Sequence, residues 1–421
     1  MAAPQSPLAR RLGTADAVLV GLGSMIGAGV FAVFGPAAQA AGTGLLVGLG
    51  IAAVVAYCNA VASAQLAAQY PTSGGTYVHG RERLGDWWGF LAGWGFVVGK
   101  TASCAAMALT FAAYVAPAPW ARPVAILAVV ALAAVNYRGV TRTARLIRVM
   151  VAFVLVALAV TVVASLAGGT ADLTRLQQPI GPGGWYGVLQ SAGLLFFAFA
   201  GYARIATIGE EVRDPQRTIP RAILLALGFV VVVYAVVGVA VLAAVGPEAL
   251  AATATPLKAA VGSGDWAWAT PWVQAGAAVA ALGALLALLA GVGRTTLAMA
   301  RHDDLPRWLA TVHPRFRVPH RAECALAGVV CVLVLSFDLR PVIGFSSFGV
   351  LLYYLVANLS ALTQGADHRR FPRPLQVLGA LGCLALALTL PPASVATGLG
   401  VLLVGVLLRT WRRRVRHDAP A

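Results

Sequence analysis

Charged residues are scarce in this chain of 421 residues. Asp, Glu, Lys and Arg together make up 11% of it, whereas hydrophobic residues make up 59%. In ordinary soluble domains about a quarter of the residues are charged. The composition therefore excludes a soluble globular protein and predicts an all-α integral membrane protein.

The chain also lacks the residue sets that catalysis or metal binding would need. Its five cysteines show no CxxC spacing, and its six histidines fall outside the apolar spans. Those spans contain no paired carboxylates and no Ser/His/Asp set, and the ATP-binding pattern G-x-x-x-x-G-K-[ST] does not occur. We therefore expect that the protein is not an enzyme and that it needs no metal or other cofactor.

Long apolar segments dominate what is present. A run of about 20 apolar residues is long enough to cross a bilayer as a helix. We predict twelve such spans, at residues 15–35, 44–66, 89–115, 123–137, 146–167, 186–208, 221–245, 271–297, 323–337, 341–363, 375–390 and 393–409.

The distribution of basic residues predicts the topology. Of 31 Lys and Arg residues, 25 fall on the side that a cytoplasmic N-terminus would share, four fall on the other side, and Lys100 and Arg204 lie within spans. The positive-inside rule then predicts a multi-pass protein of the plasma or inner membrane with both termini in the cytoplasm. The net charge of +16 thus indicates contact with membrane lipid, and we expect no nucleic acid partner.

Two spans carry glycine where a helix would be expected to continue. Span 1 contains the segment Gly23–Gly29, and span 6 contains Phe199–Tyr202 with Gly201 at its centre. In hydrocarbon every backbone N–H and C=O needs a partner, so an interrupted helix makes sense where the freed groups face a cavity. Paired interruptions are typical of the midplane site of secondary transporters. Close helix packing through small residues is the alternative explanation.

The interrupted segments suit a zwitterionic ligand. The N–H groups of Gly27–Gly29 would attract a carboxylate, and carbonyl groups at the half-helix ends would hold an ammonium. Phe199 and Tyr202 are predicted to cover the ligand, whereas Phe196–Phe197 are predicted to pack in the core. A side chain at Gly29 or Gly201 should block this approach, and Gly48 in span 2 should tolerate alanine.

Charged residues near the spans suggest coupling and gating. Lys100 is the only lysine within a span, and we expect its charge to stand in for a coupling cation; snorkelling to the interface is the alternative. After span 6, Glu210 and Glu211 begin a loop of mixed charge. With Arg204 they are predicted to form an intracellular gate of ion pairs, and a solvated loop is the alternative.

These residues resemble the amino acid–polyamine–organocation (APC) superfamily, closest to its cationic amino acid transporter-like branch. The matching segments run in the family's order along the chain. They are Gly23 to Phe31, Pro71-x-x-Gly74-Gly75-x-Tyr77, Gly93-Trp94, Gly201-Tyr202, Glu210 to Gln216, Ala298 to Arg301 with Leu305-Pro306, and His313 to Arg315 with Pro319.

The resemblance implies a LeuT-like fold. Helices 1–5 would form a first inverted repeat in residues 14–167 and helices 6–10 a second in 185–363, followed by two further helices in 375–409. Residues 1–13 and 410–421 would be cytoplasmic. The substrate would lie between the interrupted spans 1 and 6, with spans 3, 8 and 10 completing the cavity. The implied substrate-binding residues are Ser24, Met25, Ile26, Gly27, Ala28, Gly29, Phe199, Ala200, Gly201 and Tyr202.

Three departures separate the chain from that branch. Where its members carry an acid after the span 6 glycine–aromatic pair, this chain has Ala203 followed by Arg204. In span 3 the corresponding acid is replaced by Gly99, followed by Lys100. Span 5 lacks the lysine of proton-coupled relatives. Lost acids and gained bases disfavour a cationic substrate on Coulomb grounds.

The predicted function is secondary active transport of an amino acid by alternating access, coupled to protons and directed to neutral amino acids. The partners would be a small-molecule substrate, protons and membrane lipid. An amino acid or amine exchanger, and a non-transporting sensor or channel on the same fold, are the alternatives.

Overall fold

The computed structural model of the chain describes residues 12–71, 74–139, 144–206 and 212–417. Within these residues the backbone forms α-helices and short 3-10 helices, and its β contacts are limited to two isolated bridges. The prediction of an all-α protein is confirmed.

The helices follow one another with short connections. The first half of the chain contains α1 (Thr14–Met25), α2 (Ala28–Ala32), α3 (Phe34–Ala41), α4 (Leu45–Gln69), α5 (Thr76–Leu84), α6 (Asp86–Val115), α7 (Ala121–Tyr137) and α8 (Ala144–Ala167). The second half contains α9 (Gly184–Phe199), α10 (Ala203–Ala206), α11 (Pro215–Ala252), α12 (Pro256–Gly262), α13 (Thr270–Arg301), α14 (His320–Ser336), α15 (Leu339–Leu362), α16 (Arg373–Thr389) and α17 (Pro392–His417).

Proline and glycine set several of these boundaries. Proline stands in the first turn of α11, α12, α13 and α16, where its missing N–H leaves no intrahelical bond unmade. Helix α3 ends at Gly42 with φ +58°, and α5 is separated from α6 by Gly85 with φ +100°. Both values lie in the region that glycine adopts at little cost.

Nine helical segments of the described part are long and apolar enough to cross a membrane. Helices α9 and α16 are shorter apolar helices, and α14 has 17 residues. These three correspond to the predicted spans 6, 9 and 11. The count of twelve spans and the division into two inverted repeats therefore stay predictions.

Both glycine-rich segments interrupt their helices. Helix α1 ends at Met25 and α2 begins at Ala28, and Gly27 between them is extended, with φ −104° and ψ −150°. Helix α9 ends at Phe199 and α10 begins at Ala203. The backbone is thus irregular at the two places that the sequence singles out.

The two interruptions lie directly against each other. A Cβ atom at Gly201 would overlap the carbonyl oxygen of Ser24 and lie 2.6 Å from the nitrogen of Met25. At Gly29 a Cβ atom would lie 2.8 Å from the Cα atom of Ala198. Backbone packing therefore requires both glycines, independently of any ligand.

Atoms of a neighbouring helix lie close to Gly48, the position that we expect to tolerate alanine. A Cβ atom there would lie 3.0 Å from Ser191 Oγ and 3.1 Å from the nitrogen of Ala192. Alanine at Gly48 therefore requires these neighbours to move by a few tenths of an ångström, and its tolerance stays a prediction. Gly50 on the same helix has no atom within 4 Å of its Cβ position and is the tolerant position of α4.

A charged cluster joins α5, α6, α17 and the segment after α13. Asp304 accepts hydrogen bonds from the Tyr77 hydroxyl at 2.8 Å and from Arg81 Nη1 at 3.1 Å, and its Oδ1 lies 3.0 Å from Arg409 Nη2. Arg81 also pairs with Asp86 at 2.6 Å. The side chains of Arg409 and Asp304 are 2% and 4% exposed. We call these five residues the Asp304 cluster.

Candidate functional site

A cavity opens where the two helix interruptions meet. It encloses about 1170 Å³, including its open mouth. Ser24, Met25, Gly27 and Gly29 line it from the first interruption, and Phe197, Ala198, Ala200, Gly201 and Arg204 line it from the second. One wall of the cavity is therefore formed by the backbone that has left the two helices.

Two long helices form the facing wall. Helix α6 contributes Phe96, Lys100, Ser103 and Met107, whose spacing of four, three and four residues places them on one helix face. Helix α13 contributes a stripe of mostly small side chains, which leaves the space for the cavity. The stripe consists of Ala284, Ala287, Leu288, Gly291, Arg294, Thr295 and Ala298.

Lys100 reaches the second interruption directly. Its Nζ atom donates a hydrogen bond to the carbonyl oxygen of Ala200 at 3.1 Å, and the Tyr354 hydroxyl donates to the same oxygen at 3.4 Å. A carbonyl oxygen has two lone pairs. Both acceptor positions of Ala200 are therefore used by the protein itself, and Lys100 places its own ammonium where we expected that of a substrate.

Tyrosine hydroxyls satisfy further carbonyl groups at the interruptions. The Tyr234 hydroxyl lies 2.6 Å from the carbonyl oxygen of Met25 and 3.1 Å from that of Ala198. The Tyr114 hydroxyl donates to the carbonyl oxygen of Phe31 at 2.8 Å. These contacts meet the requirement that backbone groups freed inside a membrane find partners.

The structure gathers eight of the predicted functional residues around the cavity. They are Ser24, Met25, Gly27, Gly29, Lys100, Ala200, Gly201 and Arg204. Ile26, Ala28, Phe199 and Tyr202 are buried but do not line it. The predicted gate residues Glu210 and Glu211 fall outside the described residues.

The two aromatic side chains expected to cover a ligand face the core instead. The Phe199 ring packs on Tyr234 with centroids 5.2 Å apart, and the Tyr202 ring packs on Tyr354 at 5.0 Å. Both side chains are fully buried. Phe197, expected in the core, lines the cavity. In this conformation Phe197 is thus the aromatic residue of the second interruption that a ligand would meet.

Comparison with known sequences identifies the protein's family. The family described as amino acid permease matches residues 12–408. The chain belongs to the amino acid permease family. This confirms the resemblance to the APC superfamily.

Several relatives of this permease are known by name. An uncharacterized transporter of Mycobacterium tuberculosis is 62% identical over 412 residues, which cover 98% of this chain and 93% of the relative. The branched-chain amino acid permease BcaP of Bacillus subtilis is 26% identical, with 96% and 93% covered. The chloroplastic cationic amino acid transporter 7 of Arabidopsis thaliana is 28% identical, with 82% of this chain and 63% of the relative covered.

Helix α15, the tenth predicted span, stands behind the cavity wall of the permease. Its Ser346 hydroxyl lies 2.7 Å from the hydroxyl of Ser103 on α6, and its Tyr354 bonds to Ala200. None of its residues lines the cavity. We expected spans 3, 8 and 10 to complete the cavity. Span 3 (α6) and span 8 (α13) line it, whereas span 10 (α15) contacts α6 from behind the wall.

Arg294 is a cavity residue that the sequence did not single out. In the topology prediction it counts among the arginines of the cytoplasmic side, yet α13 continues as a helix to Arg301. Arg294 follows Gly291 by three residues and precedes Ala298 by four, so it lies on their helix face. This spacing is the signal that could have found it.

The charged side chains that line the cavity are all cationic. They are Lys100, Arg204 and Arg294, and no Asp or Glu of the described residues joins them. Lys100 is 8% exposed, whereas Arg294 is exposed to solvent. A carboxylate does lie behind α13, because the Glu323 side chain packs against Gly293 and interacts electrostatically with Arg294. Among the described residues no group of three His, Cys, Asp or Glu could hold a metal ion.

Proposed function

We propose that this chain is a secondary active transporter that carries an amino acid or a related small carboxylate by alternating access. The observation that carries the proposal is the cavity between two interrupted helices in a member of the amino acid permease family. Irregular backbone at membrane depth is costly except where it lines a cavity or is buried in protein. Helix interruptions of this kind form the substrate sites of secondary transporters.

The proposed conformation is open toward the cytoplasm. The cavity reaches Gly74 and Ala298, which adjoin loops that the positive-inside rule assigns to the cytoplasm. On the other side of the interruptions, the rings of Phe31 and Tyr114 meet edge to face with centroids 5.9 Å apart. Both are buried, at 0% and 1% exposure, and we assign them to the closed extracellular side.

The proposed substrate carries no net positive charge. Gly27 and Gly29 bring backbone to the cavity wall. The Gly27 N–H donates to the carbonyl oxygen of Met25 at 2.8 Å, so we assign the carboxylate of the substrate to the N–H of Gly29 in the first turn of α2. The lining cations Lys100, Arg204 and Arg294 repel a cationic side chain. Named relatives include a cationic amino acid transporter and a branched-chain amino acid permease, and for this chain we propose the class without positive charge, to which the neutral amino acids predicted from the sequence belong.

We further propose that Lys100 couples transport to protons. Its ammonium bonds to the Ala200 carbonyl at 3.1 Å, so protonation stabilises one arrangement of the second interruption. Loss of the proton in the inward-open state would remove the positive charge, weaken that bond and release the substrate. A buried charge costs on the order of 3 kcal/mol at membrane depth on insertion scales, and a residue kept at that cost is expected to have a function.

Counterflow in proteoliposomes tests the transport proposal. Liposomes that contain the purified full chain are loaded with unlabelled amino acids, and entry of the labelled compound is followed. Accelerated exchange is expected for at least one compound. A channel would dissipate the gradient without acceleration, and a sensor would bind without flux, so either result would overturn the proposal.

Substitution of Lys100 tests the coupling proposal. Lys100→Met should lose accumulation driven by a pH gradient while counterflow remains. Lys100→Arg should behave similarly, because a guanidinium cannot release its proton. Lys258→Met is the matched control, since Lys258 is the other lysine of the chain and does not line the cavity. Undiminished pH-driven accumulation in Lys100→Met would contradict the coupling role.

A further inference from the structure

We propose that Glu323 binds a proton and thereby sets the net charge that Arg294 presents at the mouth of the cavity. Glu323 is in this proposal a positioning residue, because it acts on the substrate only through Arg294. The proposal rests on the transport function proposed above and adds a proton site to the one assigned to Lys100. It follows from the burial of Glu323, from its incomplete hydrogen bonding and from its contact with α13.

Glu323 is a buried carboxylate with an unsatisfied oxygen. The residue is 5% exposed, and its buried Oε2 atom has no hydrogen-bond partner among the described residues. Asp304, the other buried carboxylate of the described part, differs because two donors and the buried Arg409 satisfy it. A buried charge that lacks hydrogen bonds is costly. A bound proton would remove that charge from Glu323.

Glu323 lies against the helix that lines the cavity. Gly293 of α13 leaves room for it, since a Cβ atom at that position would lie 2.8 Å from Glu323 Cγ. The next residue, Arg294, lines the cavity and interacts electrostatically with Glu323. Arg294 is exposed whereas Glu323 is buried. The two side chains therefore connect the protein interior with the cavity mouth.

The elements around α14 provide Arg294 as the charged partner of Glu323. Helix α14 packs against α6, α7, α13 and the 3-10 helix Arg307–Ala310. From α6, Lys100 is directed to the backbone of the second interruption, and Asp86 belongs to the Asp304 cluster. Arg307 is exposed and pairs with an aspartate at 2.7 Å. Among the described residues, Arg294 is the charged group that interacts with Glu323.

Two histidines near Glu323 also titrate, so the test has to separate their charge from that of Glu323. His320 precedes Glu323 by three residues, and its ring contacts Tyr137 of α7 with centroids 6.0 Å apart. His302 Nδ1 lies 2.9 Å from the carbonyl oxygen of Ala298 at the cavity mouth. Both imidazoles gain positive charge on acidification. A comparison of Glu323 variants at one fixed pH cancels this contribution, because both histidines are present in each protein.

The charge of Glu323 distinguishes two situations at the mouth. A deprotonated Glu323 balances the charge of Arg294. A protonated Glu323 leaves the guanidinium without this balance, and a guanidinium fork suits the carboxylate that an amino acid carries. Proton binding at Glu323 and substrate binding in the cavity then favour each other by reciprocal linkage. Transport of proton and substrate in the same direction requires such a linkage.

A purely structural role for Glu323 is the alternative. The residue lies in the first turn of α14, where an acid interacts favourably with the helix dipole. A carboxylate kept for that purpose would stay charged at every pH between 5.5 and 8. The two roles therefore differ in whether the charge of Glu323 changes within this range.

Thiol reagents of opposite charge measure the electrostatic potential at the mouth without a substrate. Ala298→Cys is introduced into the full chain together with Cys324→Ser and Cys331→Ser, because these two native cysteines are not fully buried. The rate of reaction with an anionic methanethiosulfonate is divided by the rate with a cationic one. The ratio cancels the ionisation of the thiol itself and rises when the mouth becomes more positive.

Glu323→Gln should raise this ratio about threefold at pH 8, where the native carboxylate is charged, and leave it unchanged at pH 5.5, where the carboxylate is protonated. Glutamine retains the shape of glutamate, so the packing against Gly293 is kept. Glu82→Gln removes an exposed glutamate of α5 and should have the same effect at both pH values. An equal increase at both pH values for Glu323→Gln would mean that Glu323 stays charged, and no change at either would mean that it stays neutral. Either result would overturn the proposal.

Thermal-shift titration with the twenty amino acids tests the link to the substrate. For compounds that stabilise the purified protein, the concentration for half effect should be lower at pH 5.5 than at pH 8. Glu323→Gln and Arg294→Gln should each reduce this difference about fivefold. Arg301→Gln, which changes an exposed arginine of α13 outside the cavity, should keep it. An unchanged difference in Glu323→Gln would contradict the link.

The same measurements separate this proposal from the transport proposal. Absence of both binding and counterflow would refute transport, and the reagent ratios would still decide whether Glu323 binds the proton. Counterflow in a protein whose reagent ratio does not respond to Glu323→Gln would support transport and refute the proton site.

Discussion

The cavity and the Asp304 cluster both contain cationic side chains, but the two regions differ in the carboxylates that lie beside these cations. In the cluster, Asp304 and Asp86 lie within 3.1 Å of the arginines they pair with, Arg81 and Arg409. The cavity presents Lys100, Arg204 and Arg294 on its lining with no carboxylate of the described residues beside them there. Similar residue types therefore form buried ion pairs in one region and line a cavity in the other.

The two regions differ in the burial of their charged side chains. A buried ion pair contributes stability mainly in the sense that removing one partner strands the other charge. The pair of Arg409 with Asp304, which joins α17 to the segment after α13, is of this buried kind. Arg294 of the cavity, by contrast, is exposed to solvent.

Loss of Asp304 should produce the largest effect on stability. Asp304→Asn leaves Arg409, 2% exposed, without its ionic partner, and we expect a destabilisation of about 3–5 kcal/mol. The measurement is thermal unfolding of the detergent-purified protein.

Asp338→Asn is the matched control for that substitution. Asp338 pairs with Arg122 at 3.1 Å, but the two side chains are 85% and 50% exposed. Its loss should cost no more than about 1 kcal/mol. Equal losses of stability from the two variants would mean that the buried ion pair of the Asp304 cluster contributes no more than an exposed one.

A pH effect should also originate beside the cluster. His79 on α5 is 1% exposed, and burial lowers its pKa from 6.5 to about 4. The unfolded chain binds a proton below pH 6.5 that the folded chain accepts only near pH 4. Stability is therefore fully present above pH 6.5 and falls as the pH drops through this window, by a total on the order of 3 kcal/mol.

Unfolding of the wild type and of His79→Leu between pH 7 and pH 4.5 checks this assignment. The variant should lose part of the pH dependence. His368→Leu, which changes an exposed histidine, should retain all of it. If His79→Leu follows the wild-type curve, another group causes the acid sensitivity.

The cavity region should be more sensitive to backbone contact than to charge. Gly201→Ala places a Cβ atom on the Ser24 carbonyl, and the overlap should cost about 1–3 kcal/mol and abolish counterflow. Gly50→Ala, with free space around its Cβ position, should leave folding and transport unchanged. Normal stability of Gly201→Ala would show that the two interruptions separate easily.

The smallest effect on stability is expected from the cavity arginine at the mouth. Arg294 is exposed, so Arg294→Gln should change the free energy of unfolding by no more than about 1 kcal/mol. If Arg294→Gln lost as much stability as Asp304→Asn, Arg294 would have a structural role like that of Arg409. The proposed difference between the two regions would then be wrong.

The sequence located the interruptions well because their cause is local. Four glycines within nine residues, at positions 21, 23, 27 and 29, lower helix stability enough to place one break. The assignment to the family also followed from contiguous motifs. Lys100 and Arg204 could be selected because charge inside an apolar span is rare.

Side-chain directions after an interruption could not be obtained in the same way. Phe197 and Phe199 are two residues apart, so they face nearly opposite sides of α9, and the helical period alone does not say which side is the cavity. Arg294 was missed because an arginine near a predicted helix end reads as a topology signal. The close neighbours of Gly48, Ser191 and Ala192, could not be foreseen because they lie on a helix distant in sequence.

The Tyr234 hydroxyl of α11 connects the two interrupted helices. It lies within 3.1 Å of carbonyl groups from both interrupted helices, Met25 and Ala198, but a hydroxyl has one proton to donate. The ends of α1 and α9 are thus both in contact with α11 through one shared donor. The carbonyl oxygen of Met25 also accepts from the Gly27 N–H at 2.8 Å. Separation of α1 from α11 would therefore leave Met25 paired, whereas separation of α9 from α11 would remove the Tyr234 contact of Ala198.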